Sequence, residues 1–531
     1  MYLLIILTSI WIPLVMMKSC KYSKCTCLKH CQKDVYNISD NKTCTIENFP
    51  IHTLNTSDFH LRCIKRLEKV EFINNSIKTI QPGFFSNFTS LKHLELSQNP
   101  EIKENIRYAL EGLNKIKLET LLLSNISMND QILSDNYAFF PRTLRTLSLT
   151  ANELTTFPMT YVQGLGDLTS LNLSYNIHFR HLEVDKVNKT LPLTNISLAF
   201  TGFFWKKLFK NNDSVCVLPH LKHFDLGHTF VNVSTIAVED NCLQNLKILI
   251  VKHCIFEDGL YNDSFKYLYN LKTLSLSETF NIYQVPVMSM QLEHLDMNDL
   301  KFNFIENDNT IGMFSNLTSL KHLEVRGLDL GAWKRNNLET FLKPLENLTF
   351  LNASCNNLGF IPKVIQTFSK LEDLILTNNM INELGNAISK SMILRNIQLQ
   401  HNRIEIVDVE GLPKTVESFD LSGNPFRCNC SLVPYIIWLK EKKLYKPNEH
   451  QWTKNYVCAR PLDKRNKSLA EFHPKPTDCQ PFNKYVITAM VLCCLMVLIV
   501  FVTNIVECCK ERKKRKKRPR FRYRRLQPTA S

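Results

Sequence analysis

The chain has 531 residues, more than one hydrophobic core serves, so it is expected to hold several domains or to grow along one dimension by repetition. Its net charge of +16 suggests nucleic acid only until it is divided by region: +10 arises from Glu507 onward, leaving +6 for everything before it. A basic folded domain is thereby excluded, and no G-x-S-x-G, H-E-x-x-H or phosphate-binding glycine loop occurs, so no enzyme activity, cofactor, metal or nucleic-acid partner is expected.

Residues 1–19 contain an apolar run, Leu3 to Met17, too short to span a bilayer and ending near a small residue, as a cleaved signal peptide does. Cys20, Cys25, Cys27, Cys31 and Cys44 follow, in an expected N-terminal cysteine cap over residues 20–63. A second cysteine cluster spans Cys428 to Cys479, and two such clusters bracketing a long cysteine-poor region predict disulfide-stapled ends in an oxidising compartment. A zinc site is the lesser reading of the first cluster behind a signal peptide. About seventeen N-x-S/T sequons, among them Asn37, Asn87, Asn172, Asn262, Asn352 and Asn466, fit a glycoprotein.

Between the clusters, residues 67–426 repeat L-x-x-L-x-L-x-x-N-x-L, with starts at Leu67, Leu91, Leu118, Leu144, Leu168, Leu193, Leu221, Leu246, Leu271, Leu292, Leu320, Leu348, Leu371, Leu394 and Val416. This leucine-rich repeat predicts an α/β solenoid, a horseshoe lined by a parallel concave sheet. Positions 1, 4, 6, 9 and 11 point inward, and positions 3, 5 and 7 line the concave face.

An inward Asn at position 9 satisfies backbone groups of the adjoining turn. Asn75, Asn99, Asn152 and Asn176 supply it early, and Asn356, Asn379, Asn402 and Asn424 late. Between them stand Thr201, Thr229, Cys254, Thr279, Leu300 and Leu328, so the repeats from Leu193 to Gly331 are expected to form a segment of altered curvature or twist where a gap between coils opens. Cys216 and Cys242 precede consecutive starts by nearly equal lengths and are placed to bond. Cys254 is read as a buried free thiol, and Cys355 is given no role. Phe203, Phe204, Trp205 and Phe209, with Lys206, Lys207 and Lys210, form an aromatic-basic patch, read either as core packing or as a mouth for a lipid or partner. On the concave face His93, His223, His294 and His322 stand near Glu71, Glu95, Asp225, Asp296 and Glu324, and His294, Asp296, His322 and Glu324 are the candidate ligand contacts. Histidines beside carboxylates can charge between neutral and endosomal pH; duplication of one L-K-H-L template explains the same residues without function.

The C-terminal cysteine cap covers residues 428–479, holding Cys428, Cys430, Cys458 and Cys479, which permit three pairings. Residues 485–506 carry no charged side chain and match a transmembrane helix. The tail, 507–531, is basic from Lys510 to Arg525, as a stop-transfer run drawn to anionic inner-leaflet lipids is. Cys508 and Cys509 are candidate palmitoylation sites, and Tyr523 with Leu526 fits a Tyr-x-x-apolar sorting signal.

Together the signal peptide, capped repeats, N-P-F-x-C-x-C cap and single span resemble a Toll-like receptor ectodomain and transmembrane segment over residues 20–506, and the interrupted Asn positions are similar to those of its lipopeptide-recognising branch. The resemblance implies pairing of Cys428 with Cys458 and of Cys430 with Cys479. It also implies a plasma-membrane or endosomal receptor of type I topology that binds a microbial or protein ligand and pairs ectodomains as homo- or heterodimers. The family's cytoplasmic TIR domain has no counterpart in the 25 residues after the span, which points to a co-receptor or decoy. Two other readings stand beside it: an adhesion or neuronal leucine-rich repeat protein, and a truncated record of a longer receptor.

Overall fold

The computed structural model describes residues 42–516 apart from 111, 135–139, 206–209, 232–241, 285, 303–305, 390–392, 475–478 and 480–483. Cys20, Cys25, Cys27, Cys31, Asn37, Tyr523 and Leu526 lie outside the described residues. Two compact units are present, one reaching Asn424 and the other beginning at Pro425 and including Glu405–Val407.

The first unit is a leucine-rich repeat solenoid. Its sixteen-stranded sheet is parallel throughout and follows chain order, from Thr43–Glu47 to Ser418–Asp420. Each of the fifteen repeat starts is followed two residues later by a strand, and the added first strand comes from the segment around Cys44. The apolar side chains at positions 1, 4 and 6, such as Leu320, Leu323 and Val325, are buried, because one coil is too thin to cover its own apolar row and must use its neighbours. Position 8 takes a left-handed backbone after every strand, from Asn48 (φ 54°) through Cys355 (φ 55°) to Gly423 (φ 74°). That bend turns position 9 into the core, and it gives Cys355 a place in the repeat.

The Asn ladder shows what position 9 does. Asn99 Oδ1 accepts the N–H groups of Asn75 and Ile77, one coil back, while its Nδ2 donates to Phe72 and Leu96 carbonyls. Asn152, Asn176, Asn356 and Asn379 repeat that double acceptance. In the middle, Thr201, Thr229 and Thr279 donate to carbonyls of their own coil, at Leu198, Leu226 and Leu276, and the one side-chain link from them to the next coil among the described residues is Thr229 Oγ1 with Cys254 Sγ at 3.8 Å. A second parallel sheet takes over the bonding between coils there: Phe204–Trp205, Phe230–Val231, Ile255–Leu260 and Phe280–Ile282 lie side by side. Ile255 N–H donates to Thr229 O, and Phe280 N–H to Cys254 O. Where the Asn is lost the coils are therefore joined by backbone, not parted. A recess of about 440 Å³ opens beyond this sheet, against Tyr283, Val287, Met288, Phe302 and Met313.

In the second unit, Phe426–Arg427 pairs with Cys458–Arg460, and disulfides join Cys428 to Cys458 and Cys430 to Cys479. Phe426, Tyr435, Tyr456 and Trp452 pack as a run of near-parallel rings. A helix, Lys484–Lys516, contains a stretch from Thr488 to Lys513 long and apolar enough to cross a membrane.

Candidate ligand-binding face

The sheet register places His294 opposite His322 and His322 opposite Phe350, with Asp296 opposite Glu324. Two adjacent strands thus bring all four candidate contacts together, and a third adds Phe350. The His322 and Phe350 rings are parallel, 5° apart with centroids at 4.1 Å, and the His294 ring lies 5.4 Å from that of His322. Glu324 accepts from His322 Nε2 at 3.2 Å and from Asn298 Nδ2 at 2.5 Å, and Asp296 accepts from Ser275 Oγ at 2.7 Å.

Part of this polarity is structural. Asp225, Asp296 and Asp420, all at position 5, accept the backbone N–H two residues on, at Gly227, Asn298 and Ser422; Asn172 and Asn352 do the same to Ser174 and Ser354. An Asx side chain ends each of these strands, so recurrence at position 5 needs no ligand to explain it.

The electrostatics work against easy protonation. Burial holds His294 below the ordinary histidine value, and its neighbour His322 adds to that. Burial lowers His93 likewise, with the Lys69 ammonium second. The hydrogen bond from His322 draws Glu324 down. At the strand entrances Glu293 lies between Lys272 Nζ at 2.6 Å and Lys321 Nζ at 2.7 Å, whose hydrogen bonds hold its carboxyl at about 2. Glu71, His93 and Glu95 offer three ligand atoms within 4.8 Å of one another, but Lys69 Nζ, 2.7 Å from Glu71, already supplies a cation there.

The remaining candidates are dispersed. Phe203 is 2 % exposed, its N–H donates to Thr201 Oγ1, and its ring faces Phe179, so it is a core side chain and not part of a mouth. Phe204 and Trp205 lie in the second sheet, while Lys206, Lys207 and Phe209 fall outside the described residues. Cys216 bonds Cys242. Cys254 is free and buried, its thiol 3.0 Å from Leu226 O and pushed up by burial to about 11. Asn262 and Asn466 are exposed, while Asn87, Asn172 and Asn352 are half-buried. Cys508 and Cys509 are free and exposed near the end of the apolar helix.

One feature of the face was invisible to the inward-pointing pattern. The position-8 side chains stack from coil to coil: Tyr175 on Phe200 (4.5 Å, 9°), Phe200 on His228 (3.7 Å, 19°), and His228 against His253 (4.4 Å). Glu278 closes the row, 3.0 Å from His253 Nδ1. Reading column 8 down the repeats would have found it, since Tyr, Phe, His and His occupy it in consecutive coils.

Comparison with known proteins finds sequence similarity to receptors. The chain is 26% identical to CD180 antigen of Homo sapiens over 475 residues, covering 80% of this chain and 68% of that one. It is 24% identical to Toll-like receptor 4 of Bos taurus over 527 residues, covering 84% of this chain and 60% of that receptor. The homologues are thus CD180 and Toll-like receptors over most of this chain, and they are non-enzymatic leucine-rich repeat receptors. The chain spans only about three fifths of Toll-like receptor 4. In fold it is similar to a TLR13–ssRNA13 complex, with a TM-score of 0.51, 18% identity, and coverage of 78% of this chain and 72% of that one. A leucine-rich repeat protein of Leptospira interrogans gives a TM-score of 0.53 at 20% identity, over 74% of this chain and 98% of its own. No protein-family model matches.

Proposed function

We propose that this chain, a leucine-rich repeat protein of Toll-like receptor type, is a single-pass receptor whose ectodomain binds a microbial or protein ligand and pairs with a second ectodomain, as co-receptor or decoy in innate immune recognition. The observation that carries the reading is the match to CD180 and Toll-like receptor 4 over at least four fifths of the chain, laid on a sixteen-stranded parallel sheet. The domain plan belongs to the proposal: signal peptide 1–19, caps 20–63 and 428–479, repeats 67–426, span 485–506, tail 507–531. So do ligand contact at His294, Asp296, His322 and Glu324, and palmitoylation at Cys508 and Cys509. The plasma membrane or an endosomal membrane is its site.

Two assays test it. Co-immunoprecipitation of the full chain with Toll-like receptor 4 at the cell surface is expected to recover both. Cell aggregation driven by the chain without receptor association overturns it in favour of adhesion.

A further inference from the structure

The position-8 column has an open end. Tyr175 has one ring face on Phe200, yet the residue is 51% exposed. Its neighbour one coil back is Ala151, whose methyl group covers little, and one coil further stands Asn125, which is exposed. The three are fixed in register by backbone bonds, Asn125 N–H to Thr150 O (2.9 Å), Ala151 N–H to Ser174 O (2.9 Å) and Tyr175 N–H to Ala199 O (2.8 Å), and share the left-handed bend at φ 53°, 56° and 61°. With about 4.8 Å between adjacent strands, Asn125 and Tyr175 stand roughly 10 Å apart across the Ala151 slot, room for one saturated six-membered ring lying parallel to the tyrosine. Asn125-Ile126-Ser127 is a sequon.

We propose that Asn125 is N-glycosylated and that the first N-acetylglucosamine of its glycan occupies the Ala151 slot, with its C–H face on the free face of Tyr175. An oligosaccharide pyrophosphate-lipid is the donor: a bond forms between Asn125 Nδ2 and the sugar C1, the pyrophosphate-lipid leaves, and the amide gives up one proton. The seated sugar extends the Tyr175–Phe200–His228–His253 stack by one layer and shields its apolar end from water. This rests on the receptor reading, since the ectodomain must face the lumen for the transfer to occur.

The full chain is expressed in mammalian cells, glycopeptides are analysed by mass spectrometry, and release by peptide N-glycosidase F is timed under native conditions, with Asn87 and Asn262 as internal references. Asn125 is expected to be occupied. Tyr175→Ala is expected to speed its release two- to tenfold, the range an aromatic contact gives, and Tyr175→Phe to leave it slow. Ala151→Phe fills the slot without removing the platform and is expected to speed release like Tyr175→Ala. An empty Asn125 beside occupied Asn87 and Asn262 overturns the inference alone, as does release that neither Tyr175→Ala nor Ala151→Phe alters. Absence of glycan at every sequon overturns it together with the lumenal reading.

Discussion

Asn356 reaches back one coil to Leu328: its Oδ1 accepts the Leu328 N–H at 3.0 Å, and the same oxygen takes the Leu330 N–H at 3.3 Å. Its Nδ2 donates to the Val325 carbonyl at 2.7 Å. Removing the side chain strands three buried backbone groups, each worth about 1–3 kcal/mol when unsatisfied, although relaxation of the coil recovers part. Asn356→Ala is expected to cost about 2–4 kcal/mol in urea unfolding. Thr279→Val, which removes one bond to Leu276 within its own coil, is expected to cost about 1 kcal/mol. Equal losses would show that the bond between coils does not distinguish the two sites.

The strands were legible because a coil that cannot bury its leucines alone fixes both their spacing and their direction, and residues such as Leu320 and Leu323 leave no other arrangement. The consequence of losing the Asn was not. Thr229 and Cys254 signal the loss, but the remedy, a second sheet through Ile255 and Phe280, is made by backbone, to which the side-chain pattern is blind. The candidate face was legible as a column of residue types at positions 3 and 5. That Asp296 serves its own strand end is a matter of the turn that follows it, and that Phe350 flanks His322 alongside Glu324 depends on register between coils. Position 8 carries no signal in the repeat pattern because it faces outward, where the repeat imposes no residue type.

Cys254 tests the interior of the second sheet. Its thiol is buried and its ionisation pushed up to about 11, so the thiolate that reacts with a maleimide is scarce at pH 7.4. Native ectodomain is expected to label at Cys254 only after denaturation. Rapid labelling in the native state, at the rate of a free thiol, would mean that the coils part at this place.

His294 sets a pH dependence. Because burial lowers its folded-state value, the unfolded chain binds the proton more readily, so between the ordinary histidine value near 6.5 and the lower folded one, stability rises with pH. The contribution is fully present above about 6.5 and is lost as pH falls through the folded value. Thermal melts from pH 7.5 to 5 are expected to show a falling Tm that His294→Gln makes shallower. An unchanged slope in the variant would remove His294 from the response.

Glu293 governs the charge at the strand entrances. Lys222, Lys247, Lys272 and Lys321 are exposed at position 2 of nearby coils, and Glu293 bridges the last two from 2.6 and 2.7 Å. With its carboxyl held at about 2, Glu293 stays charged until strongly acid pH, and whatever stability the pairs add is present above about 4.5 and fades as pH falls toward 2. That stability is small, since exposed pairs contribute about 0–1 kcal/mol, so Glu293→Gln is expected to melt within about 1–2 °C of the parent protein. Its larger effect is on the field: two released ammonium groups join Lys222 and Lys247 in a row that no acid then interrupts, and association with a polyanion strengthens with each cation it can use. The variant is therefore expected to leave a heparin column at higher salt than the parent. Coincident elution would mean that Lys272 and Lys321 are as available beside Glu293 as without it.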